Sequence, residues 1–159
     1  MTYATAKTLD ADLIPVIDIT ALRDGSAPDA VAAALHDASQ GLGFIYITGH
    51  GIPADTIADA RRAAFDFFRA RDAEKESVLI SKSHRGWLKP GAAKMQDDAK
   101  VDLKESFIWG WAPEAGGPSD DHPLRGDNQW PRFVPDLEAR ATAYFEAAHE
   151  VDYHLMRGF

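Results

Sequence analysis

The stretch that most constrains the fold of this chain is residues 41–53, in which one strand-like run is enclosed by glycines. Residues 44–48 read Phe-Ile-Tyr-Ile-Thr, a run of five apolar or β-branched side chains. Such a run predicts a β-strand. Because both of its faces are apolar, we expect a core strand that is covered on two sides. Glycines on either side would allow tight turns that β-branched residues resist.

The residues before this strand predict a β-α-β unit. Residues 13–19 are typical of a short strand, and Pro15 restricts that strand to a sheet edge or to a strand start. A helix is expected next, with Ser26 as its N-cap, Pro28 in its first turn and Gly41 at its end. This helix leads into residues 44–48, so the sequence predicts two strands joined by a helix.

Two further amphipathic helices are predicted. The first is expected to be capped by Asp55, and its apolar stripe consists of Ile57, Ala60, Ala64, Phe65 and Phe68. The second opens at Pro135 and would extend roughly 33 Å to residue 157. Its stripe consists of Leu137, Ala141, Tyr144, Ala148, Val151 and Leu155. Because the sequence is still apolar at Phe159, we expect the natural polypeptide to continue.

The region between these two helices is less regular. Residues 72–79 predict one or two helical turns, and residues 81–102 predict a loop or an irregular hairpin. Residues 104–111 alternate as a strand does, with three aromatic side chains on one face, namely Phe107, Trp109 and Trp111. We interpret this aromatic face as core.

Composition excludes several classes of partner. The 159 residues carry a formal charge of −8, with 17 Lys and Arg against 25 Asp and Glu. A nucleic-acid or anionic-membrane partner would need a basic stripe that this balance does not supply. The chain has no cysteine, which rules out disulfides and thiolate metal sites. With no window of about 18 apolar residues, we interpret the protein as cytoplasmic.

Six segments, in this order, resemble one enzyme family. They are Ile14-Pro15-Val16-Ile17-Asp18, the strand and turn at residues 43–52, Phe67-Phe68 followed by Glu74-Lys75, Arg85-Gly86-Trp87, Lys104-Glu105-Ser106-Phe107, and Asn128-Gln129-Trp130-Pro131. Together they are similar to the N-terminal region of isopenicillin N synthase-like, non-haem Fe(II)- and 2-oxoglutarate-dependent dioxygenases. The resemblance extends from about residue 13 to residue 159.

This resemblance implies an α+β fold, the N-terminal helical and strand part of a double-stranded β-helix (jelly-roll) dioxygenase that lacks most of its catalytic barrel. It implies a dioxygenase N-terminal domain at residues 13–159 that ends in a long helix, and the residues before it, 1–12, are predicted to be a loosely held N-terminal arm. The stripe of that helix would lie against the barrel. The partners implied are the missing C-terminal catalytic domain and, for the full-length parent, a small-molecule substrate.

The family's cofactor ligands are missing from this sequence. Members hold iron with a His-x-Asp pair and a distant His, and an Arg-x-Ser pair grips 2-oxoglutarate. None of the six histidines here is followed two positions later by Asp or Glu, and no arginine precedes Ser at that spacing. We therefore expect no catalytic residue and no metal ligand in this chain. Fe(II) and 2-oxoglutarate are implied for the full-length parent, and this chain alone is expected to be inactive.

Arg85 and Trp87 are the candidate substrate-binding residues. In the resembling enzymes the Arg-Gly-aromatic segment runs near the mouth of the active site, where an arginine can pair with a substrate carboxylate. The alternative is an exposed loop arginine beside a packing tryptophan. Neither interpretation identifies the substrate.

Three other patterns carry weaker hypotheses. Glu146 and His149 form a Glu-x-x-His pair as in di-iron bundles, but no second such pair exists, which favours a solvated helix face. His50, between two glycines, is interpreted as a structural turn residue. The tripeptide Arg125-Gly126-Asp127 spells an adhesion motif and is interpreted as chance.

Two functions are compatible with these patterns. In the first, the chain is the N-terminal portion of an Fe(II)/2-oxoglutarate-dependent oxidoreductase, where it supports the catalytic barrel and shapes the substrate mouth. In the second, it is a stand-alone, non-catalytic interaction module or an inactive remnant that docks a partner through an apolar helix face.

Overall fold

The computed structural model describes residues 13–92, 103–111 and 126–159, which form a mixture of helices and short strands. The elements in order are β1 (Val16–Asp18), α1 (Thr20–Asp24), α2 (Pro28–Gln40), β2 (Tyr46–Thr48), α3 (Ala54–Arg69), α4 (Asp72–Lys75), a 3₁₀ turn (Glu76–Val78), β3 (Gly86–Leu88), β4 (Ser106–Ile108) and α5 (Leu137–Gly158). The predicted arm at residues 1–12 lies outside the described residues.

The chain divides into two compact units. The first comprises residues up to Thr56 together with Ala143–Phe159, and the second comprises Ile57–Thr142. Each unit has its own cluster of buried apolar side chains.

The predicted β-α-β unit is confirmed in the first unit. Strands β1 and β2 are parallel, with Val16 opposite Tyr46, and β1 begins directly after Pro15. The sequence missed the short helix α1. It was also wrong about Ser26, because α2 begins at Pro28 after Ala27, without a side-chain cap. The backbone N–H of Ser26 donates instead to the Asp24 carboxylate at 2.8 Å and closes the turn between α1 and α2.

One face of the β1–β2 pair builds the core of the first unit. The buried side chains are Ile17, Ile19, Leu22, Val31, Leu35, Ala38 and Val151. The opposite face is exposed: Val16 is 63%, Phe44 70% and Tyr46 59% accessible. The expectation that the second strand is covered on both sides is therefore wrong for the described residues. Alternation along a strand sends every second side chain away from the core, and no described element covers that side.

The glycine-rich turn after β2 is held by an arginine. Gly51 has a φ of +76°, and the Arg23 guanidinium occupies the space where a Cβ would stand. Arg23 Nη1 also donates to the carbonyl oxygen of Gly49 at 2.8 Å. His50 Nδ1 accepts the backbone N–H of Ile52 at 3.0 Å, as expected for a structural turn residue.

The core of the second unit is aromatic. Its buried side chains are Ala63, Phe67, Val78, Trp87, Val134, Leu137 and Ala141. The ring of Phe67 lies 4.6 Å from that of Phe107 and 5.7 Å from that of Phe133, between centroids. Trp109 and Trp130 pack against the same cluster. The interpretation of Phe107 and Trp109 as core is confirmed, whereas Trp111 is 58% exposed.

Helix α3 presents a different face to this core from the one predicted. Its buried residues are Ala63 and Phe67, whereas Phe65 is 44% exposed. The centroid of the Phe65 ring instead lies within cation–π distance of two guanidiniums, 4.9 Å from Cζ of Arg69 and 5.5 Å from Cζ of Arg61. The helix begins at Ala54, so the residue predicted as its cap lies in the first turn. The spacing of apolar residues along α3 was compatible with burial of either face. The contacts of Phe67 with Phe107 and Phe133 select the face that is buried.

Helix α5 and strand β4 lie where the sequence predicted them. The segment at residues 81–102 also contains β3, which pairs antiparallel with β4 and puts Trp87 opposite Phe107. The stripe of α5 is used within this chain, because Leu137 and Ala141 are buried in the second unit and Val151 in the first. The expectation that the apolar stripe of α5 lies against the catalytic barrel is therefore wrong for these three residues, which are buried within this chain.

A stability prediction follows from Gly86. Its φ is +112°, and a Cβ there would lie 2.5 Å from the Val78 carbonyl oxygen and 2.6 Å from Gln129 Nε2. Gly86→Ala should therefore cost about 3 kcal/mol or more of unfolding free energy, since strain and overlap add. Gly43→Ala is the matched control, because its φ is +75° but nothing lies within 4 Å of a Cβ. It should cost about 1–2 kcal/mol. Urea unfolding followed by circular dichroism measures both, and equal losses would contradict the overlap.

Candidate functional site

A buried ion pair lies next to the Arg-Gly-aromatic segment. Lys75, at the end of α4, is only 3% exposed. Its Nζ donates to Glu105 Oε2 at 2.8 Å and to Asp72 Oδ1 at 3.1 Å. The same Glu105 oxygen accepts the indole N–H of Trp87 at 2.7 Å. One carboxylate oxygen therefore joins α4, β3 and the residue that precedes β4.

The environment of Lys75 favours its charged form. Burial acts to lower the pKa of Lys75, but hydrogen bonds to Glu105 and Asp72, together with their charges, outweigh it and raise the pKa. The Nζ also lies 4.7 Å from the centroid of the Trp87 ring, at cation–π distance. Lys75 therefore remains a cation at physiological pH.

The segment that precedes β3 is a tight loop, which we name the Arg85 loop (residues 81–86). The backbone N–H of Ser81 donates to the Arg85 carbonyl oxygen at 2.8 Å, and that of His84 donates to the Ser81 carbonyl oxygen at 3.1 Å. Arg85 N–H donates to the Ser81 hydroxyl at 3.3 Å. His84 has a φ of +55°, a left-handed conformation uncommon outside glycine. The loop is thus closed by its own backbone.

Two consecutive side-chain amides fasten this loop to its surroundings. Gln129 Nε2 donates to the Arg85 carbonyl oxygen at 2.6 Å and to that of Leu79 at 2.7 Å. Asn128 Nδ2 donates to the Gly110 carbonyl oxygen at 2.8 Å, and its Oδ1 accepts the Gly110 N–H at 3.0 Å. The Asn-Gln pair thereby connects the segment after residue 125 to two other segments of the second unit.

The Arg85 guanidinium is weakly bound by comparison. Its Nη1 lies 3.5 Å from the carbonyl oxygens of Ser83 and His84, at the outer limit of a hydrogen bond. Among the residues that the structure describes, its Nε has no acceptor although it is buried, and the same holds for Trp109 Nε1. Buried donors without an acceptor are rare in native proteins, so these two nitrogens stand out among the described residues.

The two predicted site residues differ in their surroundings. Arg85 is half-buried, whereas Trp87 is 1% exposed and belongs to the aromatic core. Their substrate-binding role stays a prediction. What the structure adds is that the Trp87 indole N–H bonds to Glu105, whereas the Arg85 Nε has no acceptor among the described residues.

The other sequence candidates do not assemble into a site. Glu146 and His149 are both exposed on α5. Within residues 13–92, 103–111 and 126–159, no group of three or more His, Cys, Asp or Glu side chains could hold a metal ion. His122 and Arg125 lie outside those ranges, so the adhesion-like tripeptide is only partly described.

Two clefts occur away from Arg85. One of about 290 Å³ is lined in part by Asp66, Glu74 and Asp136. Another, of about 210 Å³, has Arg23, His154 and Arg157 among its lining residues. Neither is lined by the predicted site residues.

Residue-level reasoning missed the four side chains that hold the Arg85 loop and Trp87. Lys75, Glu105, Asn128 and Gln129 all occur in motifs that carried the family resemblance, but no role followed from their spacing. Each bonds to a residue at least 18 positions away. The motifs indicated that these four residues matter, but the folded structure was needed to show which hydrogen bonds they form.

No described helix is both long and apolar enough to span a lipid bilayer.

The buried ion pair yields a second stability prediction. Lys75→Met leaves the Glu105 carboxylate without its cation, which should cost about 3 kcal/mol, at the lower end for buried pairs because Glu105 is 25% exposed. The matched control is Lys89→Met, which removes an exposed pair with Glu76 and should cost less than about 1 kcal/mol.

This contribution should also depend on pH. Because the pKa of Lys75 is raised by folding, its stabilisation is fully present below about pH 10.4 and is lost as the pH rises through the folded-state pKa. Urea unfolding at pH 8 and at successively more alkaline pH measures this. A Lys75→Met effect that is no larger than the Lys89→Met effect, or that does not shrink above that range, would contradict the prediction.

Comparison with curated proteins finds relatives that are dioxygenases. The chain is 29% identical over 140 residues to Validamycin A dioxygenase of Streptomyces hygroscopicus subsp. limoneus, a match that covers 82% of this chain and 38% of the relative. It is 31% identical over 137 residues to the 2-oxoglutarate-dependent dioxygenase tropC of Talaromyces stipitatus, which covers 81% of this chain and 42% of the relative. The chain thus spans less than half the length of these relatives.

Solved structures with the same arrangement include a 2OG-Fe(II) oxygenase family protein of Caulobacter crescentus. It gives a TM-score of 0.75 at 18% identity over 91% of this chain and 47% of that protein. A full-length protein of Neurospora crassa, crystallised in complex with alpha-KG and thymine, gives 0.71 at 21% identity over 91% and 46%. At these identities the likeness concerns the fold alone.

A family model described as "non-haem dioxygenase in morphine synthesis N-terminal" matches residues 14–132. The match includes the strand and glycine turn, the Arg85 loop and the Asn-Gln-Trp-Pro motif. Since it extends over most of the chain, this protein belongs to the N-terminal domain family of the non-haem, 2-oxoglutarate-dependent dioxygenases, the family that its sequence motifs resemble.

Proposed function

We propose that this chain is the N-terminal portion of an Fe(II)/2-oxoglutarate-dependent oxidoreductase that oxidises a small organic substrate with O2. The observation that carries the proposal is the family match over residues 14–132. In this proposal residues 13–159 form one dioxygenase N-terminal domain preceded by an arm at residues 1–12. A jelly-roll barrel on the other part of the polypeptide supplies the chemistry. We further propose a cytoplasmic location, which the lack of cysteine supports.

The described residues do not fit the cofactors as ligands. No metal-holding cluster occurs among them, and the sequence has neither His-x-Asp nor Arg-x-Ser. In the proposal, Fe(II) and 2-oxoglutarate are therefore held by the catalytic half. The contribution of this chain is structural support and contact with the substrate.

Exposed apolar side chains support a docking role. The outer face of the β1–β2 pair carries Val16, Phe44 and Tyr46, all more than half exposed. Near the end of α5, Met156 is 69% and Phe159 71% exposed. Extended apolar surface of this kind marks an interaction site in soluble proteins. We propose that the catalytic half covers it, although a stand-alone interaction module could use the same residues.

For substrate contact we propose the Arg-Gly-aromatic segment. Among the residues that the structure describes, the buried Arg85 Nε has no acceptor; this supports the proposal, because a carboxylate or another anionic group would satisfy it and gain a charge-assisted hydrogen bond. Trp87 contributes from within the core, where its ring and indole N–H fix the strand that follows Arg85.

The first test concerns catalysis by this chain alone. Because no three His, Asp or Glu side chains of the described residues are grouped so as to hold a metal ion, the chain should bind Fe(II) only as scattered carboxylates do and should release no succinate from 2-oxoglutarate. Anaerobic Fe(II) titration and succinate analysis measure this. The control is the same chain joined to a catalytic half that carries the two missing motifs. Saturable one-to-one Fe(II) binding by the chain alone would contradict the proposed division of labour.

The second test concerns Arg85 in that full-length enzyme. Arg85→Lys keeps the charge but loses the planar two-pronged contact, so kcat/KM for the substrate should fall by about ten- to a hundredfold. Uncoupled 2-oxoglutarate decarboxylation should be nearly unchanged. The matched control is Arg62→Lys, an exposed arginine paired with Asp59, which should alter neither activity.

If Arg85→Lys leaves kcat/KM unchanged, or if it reduces coupled and uncoupled turnover equally, Arg85 does not bind the substrate.

A further inference from the structure

One side-chain amide from outside the Arg85 loop bonds both to the loop and to the residue two positions before it. Gln129 places both N–H groups of its amide on backbone carbonyls, that of Arg85 at 2.6 Å and that of Leu79 at 2.7 Å. The Leu79 carbonyl precedes the loop, and the Arg85 carbonyl also accepts the loop-closing N–H of Ser81. One amide therefore ties together the chain entering the loop and the chain leaving it.

Space for this amide depends on the residue after Arg85. A Cβ at Gly86 would stand 2.6 Å from Gln129 Nε2, closer than side-chain carbons approach. The missing side chain thus lets Gln129 reach two carbonyls at once.

Asn128, which precedes Gln129, holds the backbone on which the Arg85 guanidinium rests. Asn128 pairs with both backbone groups of Gly110, as a neighbouring strand would. The Arg85 guanidinium lies directly on Gly110, because a Cβ there would come within 2.9 Å of Nη2 and 3.3 Å of Cζ. Fixing the Gly110 backbone therefore fixes the surface against which the guanidinium rests.

We infer that Asn128 and Gln129 are positioning residues for Arg85: Gln129 sets its backbone and Asn128 sets the platform of its guanidinium. This inference rests on the proposed function, in which Arg85 contacts the substrate. It assigns to the Asn-Gln pair a part in substrate selection that the two residues carry out without touching the substrate. A guanidinium held in advance loses less conformational entropy when it binds a planar anionic group.

The sharpest variant is Gln129→Glu. It keeps the shape of the side chain but replaces Nε2, which carries both N–H donors, with a carboxylate oxygen that faces two carbonyl oxygens, so both hydrogen bonds become repulsive contacts. Gln129→Met is the milder variant, since it removes the donors without adding charge. The matched control is Gln40→Glu, which makes the same chemical change at the exposed end of α2.

The experiment follows side-chain N–H signals in the ¹⁵N-labelled full chain, with Arg85→Lys used to assign the Arg85 Nε–H. In Gln129→Glu this signal should move toward those of exposed arginines, and its exchange with water should rise about tenfold or more. The indole N–H of Trp87, which is bonded to Glu105, should stay in place and report that the core is intact. Gln40→Glu should change neither signal.

An unchanged Arg85 signal in Gln129→Glu would overturn the inference. If Gln129→Glu loses the Trp87 signal as well, Gln129→Met decides: an altered Arg85 signal with Trp87 retained supports positioning, whereas both lost or neither altered overturns it. No substrate is involved, so this outcome is independent of the turnover test on Arg85. The two experiments can therefore give different answers: Gln129 can position Arg85 although Arg85 binds no substrate, and Arg85 can bind substrate although Gln129 does not position it.

Discussion

The second unit depends on one carboxylate oxygen. Glu105 Oε2 accepts both the buried ammonium of Lys75 and the indole N–H of Trp87. Removing a charge from water costs several kcal/mol, so such a pair contributes only when its remaining donors and acceptors are satisfied. Here the second Lys75 contact to Asp72 and the ring of Trp87 complete the shell of the ammonium. The bonds fix α4, β3 and the start of β4 in one relative geometry.

The position of the Arg85 loop follows from that geometry. Trp87 is opposite Phe107 in the β3–β4 pair, and its backbone carbonyl accepts the N–H of Ile80 at 2.9 Å. Both ends of the loop are therefore anchored in the aromatic core before any side chain of the loop itself is considered. An apolar replacement of the ion pair could match its stability, but it would not orient an indole N–H. What the carboxylate adds to the charge pair is therefore the hydrogen bond that it accepts from the Trp87 indole N–H.

Much of the architecture could be predicted from the sequence because it depends on local rules. Pro15 limited β1 to a strand start, and Gly41 ended α2 at Gln40. The exposed face of β2 could not be predicted, since an apolar strand looks the same whether or not its second cover is present. The orientation of α3 was missed for a related reason: Phe65 and Phe67 are both apolar, and only contacts with Phe107 and Phe133 select Phe67. At the candidate site, sequence motifs indicated Arg85, but the bonds that hold it connect residues far apart in the chain.

Two arginines differ in how far their guanidiniums are bonded within the described residues. Arg23 fills the space above Gly51 and donates to the Gly49 carbonyl oxygen at 2.8 Å, so its guanidinium completes a turn of the first unit. Arg85 also rests on a glycine, but its Nη1 contacts are 3.5 Å long and its Nε has no acceptor among the described residues. Desolvating a donor without pairing it costs about 1–3 kcal/mol. Arg85 thus has a backbone carbonyl fixed by Gln129 and a buried Nε that has no acceptor among the described residues; in the proposed function an anionic group of the substrate would supply that acceptor.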